Sequence, residues 1–159
     1  MSRRALFVLA AGALLAALSA CTPQEVAEVQ TYVGVNAIRQ GSGEPPLTPD
    51  QALTEVAQMR SDDMAAKDYF SHVPPDGCNY ACLIDEVEGR HGYAGENLAW
   101  NLNVDWAHTA DVAVQMWYDS PPHLKNILDC HYTRFGSAVT QGADNKIYFA
   151  MIFEGYAAC

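Results

Sequence analysis

Near the end of the chain, the run Ile147-Tyr148-Phe149-Ala150-Met151-Ile152-Phe153 is apolar without interruption. A strand wetted on one face alternates apolar with polar residues, so an unbroken run reads as an interior strand. Ahead of it lies Arg134–Gln141, and the intervening Gly142-Ala143-Asp144-Asn145 is rich in turn formers. The two segments read as a hairpin, Arg134–Gln141 against Lys146–Glu154, closed so that Gln141 stands opposite Lys146. Helical patterns fill most of the chain before this strand pair. That order predicts an α+β fold with helices stacked on an antiparallel sheet rather than a doubly wound parallel one.

The first twenty residues belong to a different class of signal. Arg3 and Arg4 precede an apolar stretch from Ala5 to Ala16, and Leu18-Ser19-Ala20 leads directly to Cys21. This is the layout of a secretory signal, too short for a membrane-spanning helix, with cysteine where a bacterial lipoprotein carries its first mature residue. Residues 1–20 are therefore expected to be a cleaved lipoprotein signal, Cys21 the lipidated residue, 21–24 a short tether and 25–159 a single domain. The protein is then expected outside the cytoplasm, joined to a membrane of the cell envelope by its lipid, or secreted. Thr22 gives no inner-membrane retention cue, so the outer membrane is preferred where one exists. Cleavage strips two arginines and no acid, taking a net charge of −10 further negative. Such a surface repels phosphate backbones, which argues against nucleic acid as a partner.

Export also sets the redox compartment. With Cys21 lipidated, Cys78, Cys82, Cys130 and Cys159 remain, an even number in an oxidising setting. Continued past its open end, the hairpin register brings Cys130 and Cys159 together, leaving Cys78 and Cys82 to close a short local loop. A zinc site made from these four would want a second close pair, which the spacing does not offer.

Between signal and hairpin, Val26, Val29, Val33, Ala37 and Ile38 recur at helical spacing across Glu25–Arg39, and Gln40-Gly41-Ser42-Gly43 stops that helix. A second helix is announced by Thr48-Pro49-Asp50-Gln51, with Thr48 as cap and Gln51 closing the box, and runs to Lys67 with Leu53, Val56, Ala57 and Met64 inward. Ala81–Val87 reads as a short helix closed by Gly89. Trp106–Tyr118 reads as a helix apolar on so many sides that it should be largely covered. Ser120 caps a last short helix that begins at Pro121 and carries His123.

Three segments set polar side chains inside apolar surroundings: Tyr69-Phe70-Ser71-His72, Gly95-Glu96-Asn97-Leu98-Ala99-Trp100 and Trp117-Tyr118-Asp119-Ser120-Pro121-Pro122-His123. Buried polar groups need partners, and the simplest mutual solution is that these meet. At these residues the chain resembles the CAP superfamily, the cysteine-rich secretory and pathogenesis-related proteins, in its short bacterial branch. The likeness runs from about Val26 to Tyr156. It is carried by Asn36-Ala37-Ile38-Arg39 with Pro46-Leu47, by Asp63-Met64-Ala65-Ala66 with Phe70-Ser71-His72, by Gly95-Glu96-Asn97-Leu98-Ala99, and by the Trp117–His123 segment followed by Asn126-Ile127-Leu128.

The resemblance implies an α-β-α sandwich with a central, mainly antiparallel sheet, and a cleft lined by His72, Glu96 and His123. Many relatives show a glutamate as a fourth cleft residue. Ser120 stands at the matching position here, with Asp119 beside it as the nearest carboxylate. Two imidazoles and a carboxylate match the ligand count of a zinc site, so His72, His123 and Glu96 are the candidate ligands for zinc or another divalent cation. No HExxH helix presets them for hydrolysis. The leading reading is a binding module for a small molecule, peptide or glycan, more a binder than an enzyme. A metal-dependent hydrolase of peptide or cell-wall material and a structural or adhesive envelope protein are the rivals.

Overall fold

The computed structural model describes residues 21–102, 104–156 and 158–159; the signal-like segment 1–20 lies outside the described residues. The elements are α1 (Pro23–Gly41), β1 (Thr48–Pro49), α2 (Gln51–Lys67), α3 (Tyr80–Glu88), β2 (Tyr93–Leu102), α4 (Thr109–Tyr118), α5 (Pro121–Ile127), β3 (Arg134–Gln141) and β4 (Lys146–Gly155). They form one sheet of order β1-β3-β4-β2, antiparallel except for the short β1–β3 pair. The fold is α+β, as expected.

β4 is the interior strand, buried from Ile147 to Gly155. Its side chains feed two separate cores. Phe149, Met151 and Phe153 join Ala27 and Val35 of α1 and Ala113 and Trp117 of α4, whereas Tyr148, Ala150 and Ile152 join Leu53, Val56 and Met64 of α2 and Ile84 of α3. The period of two along one strand thus builds a helix layer on each face of the sheet.

The hairpin forms one residue out of the expected register, with Gln141 opposite Ile147 and Arg134 opposite Glu154. The turn explains the shift. The Gly142 amide donates to the Lys146 carbonyl at 2.8 Å and Asn145 takes a left-handed conformation at φ 65°, the pattern of a three-residue loop that takes one position for a bulge. The ends still meet, and the disulfides are Cys130–Cys159 and Cys78–Cys82.

Several helix expectations need correction. α1 begins at Pro23, because Thr22 and Glu25 form a reciprocal capping box, so half of the expected 21–24 tether is helical. The valines that announce α1 are not its inner face: Val26, Val29 and Val33 are exposed, and Ala27, Thr31 and Val35 are buried instead. Small residues win there because the helix lies close to its neighbour; a Cβ on Gly34 would meet Val114 at 3.1 Å. The buried polar residues of α1 are tied to main chain. Asn36 donates to and accepts from Leu47, and Arg39 donates to the carbonyls of Pro45, Ile127 and Asp129.

α2 is capped by Asp50 rather than Thr48, whose main chain is drawn into pairing with β3. α4 starts at Thr109 and is covered on one side only, since Met116 and Tyr118 face solvent. β2 is not visible as a strand in the sequence because its residues do not alternate; the structure buries residues 95–99 on both faces.

One cation gathers three elements around the start of β3. Arg134 donates to Asp50 at 2.7 Å, to Glu88 at 2.6 and 2.8 Å, and to the fully buried carboxylate of Glu154. Burial alone would raise the Asp50 carboxyl pKa, but Arg134 and the Leu53 amide outweigh it and hold it below the ordinary value. A carboxyl depressed in the folded state contributes stability above its unfolded pKa of about 3.9, and that contribution disappears as pH falls through the folded value. Asp50→Asn keeps the capping oxygen but not the charge. It should therefore be less stable than the parent by about 1 kcal/mol at neutral pH, with the gap closing as pH falls below the ordinary carboxylate range. Urea unfolding across that range measures it.

Candidate functional site

The site is assembled from the ends of elements. α2 stops at Asp68, which adopts a left-handed conformation at φ 49°, and the chain then bends through Ser71 and His72. Glu96 lies on β2, next to Gly95, where any side chain would run into the Tyr132 hydroxyl. His123 lies in α5, which Ser120 and Pro121 start. Asn97 donates to the carbonyl of His123, and Asn126 donates to the carbonyl of Glu96 and the side chain of Asn97, so α5 is fastened to β2 beside the site.

Glu96 is the centre of the arrangement. Its side chain has no exposure, and its two oxygens have separate partners: Arg60 Nε at 2.7 Å on one and His72 Nδ1 at 2.7 Å on the other. Arg60 is itself buried and completes its hydrogen bonds with the Tyr69 hydroxyl at 2.9 Å and the Ser71 carbonyl at 2.7 Å. Tyr69 in turn donates to Asp63 at 2.6 Å; burial, followed by that bond, pushes its pKa up to about 12 and keeps it a donor. A carboxylate already holding a guanidinium accepts rather than donates, so Nδ1 of His72 carries a proton and Nε2 is the ring nitrogen turned away from Glu96. Carboxylate–imidazole pairing of this kind fixes both tautomer and ring direction.

The structure brings His72 and His123 together, with ring centroids 6.5 Å apart and planes inclined by 47°. His72 is half-exposed, while Nδ1 of His123 is buried without a hydrogen-bond partner. Burial, and then the nearby His72, lowers the His123 pKa and favours its neutral, lone-pair-bearing form. Glu96, expected as a ligand, has both carboxylate oxygens engaged by Arg60 and His72. Among the described residues, the groups whose ligand atoms all lie within 4.8 Å of one another are Asp129/Cys130/His131/Cys159 and Cys78/Cys82/Glu86, not His72/Glu96/His123. The cysteines of both groups are in disulfides and offer no thiolate. With both oxygens engaged, Glu96 orients His72.

Asp119 points away from the site and accepts from Gln115 at 3.0 Å on the exposed side of α4. Ser120 is the N-cap of α5 without a side-chain capping bond. Reading the sequence missed Arg60, Asn97 and Asn126. Arg60 could have been found: it falls on the inward stripe Leu53, Val56, Ala57 and Met64, where a charge requires a buried counter-charge.

This backbone and these residues have relatives. The sequence profile of the cysteine-rich secretory protein family, CAP, matches residues 34–153. The chain belongs to the CAP family. It is 38% identical over 128 residues to the uncharacterized membrane protein YlbC of Bacillus subtilis (strain 168), covering 79% of this chain and 34% of that one. It thus spans about a third of that relative's length. Among solved structures it superposes on an extracellular protein with an SCP domain from Bacillus anthracis str. Ames, with TM-score 0.73, 26% identity, 83% of this CAP chain and 41% of the other covered. It also matches an outer surface protein from Borrelia burgdorferi at TM-score 0.68 and 18% identity, over 79% and 90% of the two chains, a likeness of fold. No helix among the described residues is long and apolar enough to cross a membrane.

Breaking one side of the central pair should expose what it holds. Arg60→Met leaves the buried Glu96 carboxylate without its guanidinium counter-charge, with only His72 as a partner, and should destabilise the protein by about 3 kcal/mol or more in urea unfolding. Adding Glu96→Gln to that variant should recover a large part of the loss, because the uncompensated charge is then gone.

Proposed function

We propose that this CAP domain is an extracytoplasmic binding module, held at the cell envelope by a lipid on Cys21, whose cleft receives a small molecule, peptide or glycan fragment with a divalent ion held by His72 and His123. The observation that carries this reading is the pair of imidazoles, one oriented by a buried carboxylate and one kept neutral by burial. The donor set suits zinc, which takes imidazole nitrogen readily. Arg60 and Glu96 hold His72 in place, Asn97 and Asn126 hold the α5 main chain, and the orphaned Nδ1 of His123 is a polar atom still lacking a partner. A bound cation would supply a Lewis-acidic point for an anionic or carbonyl group of the ligand. Binding is favoured over turnover because the one buried carboxylate at the site is engaged on both oxygens and is not free to take a proton from water.

Envelope attachment is supported by the signal-like residues before Cys21, by the exposure of Cys21, and by similarity to proteins described as membrane and extracellular. α1 begins at Pro23, so a lipid on Cys21 would hold the domain close to the bilayer.

Zinc titrated into metal-stripped protein should bind with near-unit stoichiometry by calorimetry, and His72→Ala and His123→Ala should each abolish that event. Undiminished binding in the double variant would overturn the cleft as a metal site. In fractionated cells, the parent should sediment with membranes and Cys21→Ser should appear in the soluble extracytoplasmic fraction; membrane retention of the variant would overturn the lipid anchor.

A further inference from the structure

β1 pairs with β3 only at Thr48–Arg134 and Pro49–Phe135. Within that short contact, Thr48 and Asp50 donate to the carbonyls of Thr133 and Phe135, so odd-numbered residues of β3 turn their main-chain groups toward this edge. Beyond Pro49 the edge continues through Ser137 and Val139, with α1 on one side and α2 on the other and no further strand among the described residues. The Val139 amide donates to a side chain, Glu28 Oε1 at 3.3 Å.

Two adjoining cavities follow this edge. One, of about 360 Å³, has apolar walls of Val29, Tyr32, Pro49 and Phe135, with Tyr32 stacked on Phe135 at 5.1 Å. Ser137 opens onto it; the residue is 7% exposed, and its Oγ is buried without a partner. The other, of about 550 Å³, is polar and carries Glu25, Glu28 and Asp62 with no lysine or arginine among its lining residues. Glu28 borders both. Burial raises the Glu28 carboxyl pKa, the Val139 amide opposes this and the Glu25 charge adds to it, so an incoming cation would relieve the crowding of acids.

We propose that the β3 edge between α1 and α2 is a docking groove for an extended peptide segment that adds alongside Ser137 and Val139, sets an apolar side chain against Tyr32 and Phe135, and places a lysine or arginine among Glu25, Glu28 and Asp62. Main-chain donors and acceptors at strand spacing are matched by another extended main chain, and alternate side chains then fall into alternate pockets. The acidic wall selects the sign of the charged residue. Glu28 stands in for the missing strand by accepting from Val139, and the peptide carbonyl replaces it. This site is separate from the His72–His123 cleft and does not rest on it.

The test is an amide NMR titration of the mature protein with the acetylated, amidated pentapeptide Lys-Val-Lys-Val-Lys. Controls are Glu-Val-Glu-Val-Glu, of opposite charge, and Lys-Pro-Lys-Pro-Lys, which keeps the charge but lacks N–H donors at the proline positions. Saturable shifts should centre on Val29, Ser137 and Val139, with slowed exchange of the Ser137 and Val139 amides. Both control peptides, and the surface variant Val29→Lys, should bind about fivefold more weakly or worse. His72→Ala should bind as the parent does. Equal binding of the proline or glutamate peptide, or saturation without shifts at those three amides, would overturn the proposal. So would Glu28→Ala self-associating through this edge while neither it nor the parent binds the lysine peptide, which would make Glu28 a guard against strand pairing and nothing more.

Discussion

A strand apolar on both faces must be covered on both, and β4 imposes that requirement on everything around it. Alternate residues face opposite cores, so one helix layer is not enough and the chain supplies α1 with α4 above and α2 with α3 below. β2 and β3 flank β4 on either side, each paired along eight to ten residues. The site follows from this layering. His72 arrives from the end of α2 on one face, while His123 arrives on α5, whose Ile127 belongs to the core of the other. They meet at β2, where Glu96 lies between the layers.

The chemistry at that meeting point depends on what a buried carboxylate demands. Glu96 has no exposure and would be strongly unfavourable there alone; Arg60 compensates it, and the same guanidinium draws in Tyr69 and the Ser71 carbonyl. The loop that carries His72 is therefore shaped by the group that neutralises Glu96. One ion pair sets the tautomer of His72, the path of the segment before it and the attachment of α2 to β2. Arg134 performs a similar gathering role elsewhere on the same face of the sheet, where Asp50 at the start of α2, Glu88 at the end of α3 and Glu154 of β4 converge.

Much of this was legible in the residues. The unbroken apolar run identified β4, the turn formers before it identified the hairpin, and their register led to both disulfides. The convergence of His72, Glu96 and His123 was legible because polar side chains in apolar segments need one another, and the CAP resemblance ordered them. What the pattern hid has specific physical causes. The bulge at Asn145 moved the register by one residue, which no alternation signal reports. α1 advertises its valines but buries its small side chains, since close approach of the helix matters more there than apolar area. The partner that holds Glu96, Arg60, was concealed within an otherwise ordinary helix stripe.

The position of β4 in the sheet also has a temporal consequence. Among the described residues it follows both β2 and β3 in sequence, yet it is the strand that β2 pairs with and the long partner of β3. Neither of those strands completes its ladder until residues 146–155 have joined the sheet, so β2 waits for a partner that lies far along the sequence. A sheet assembled in this order gains its stability in one late, long-range step rather than by growth from one edge.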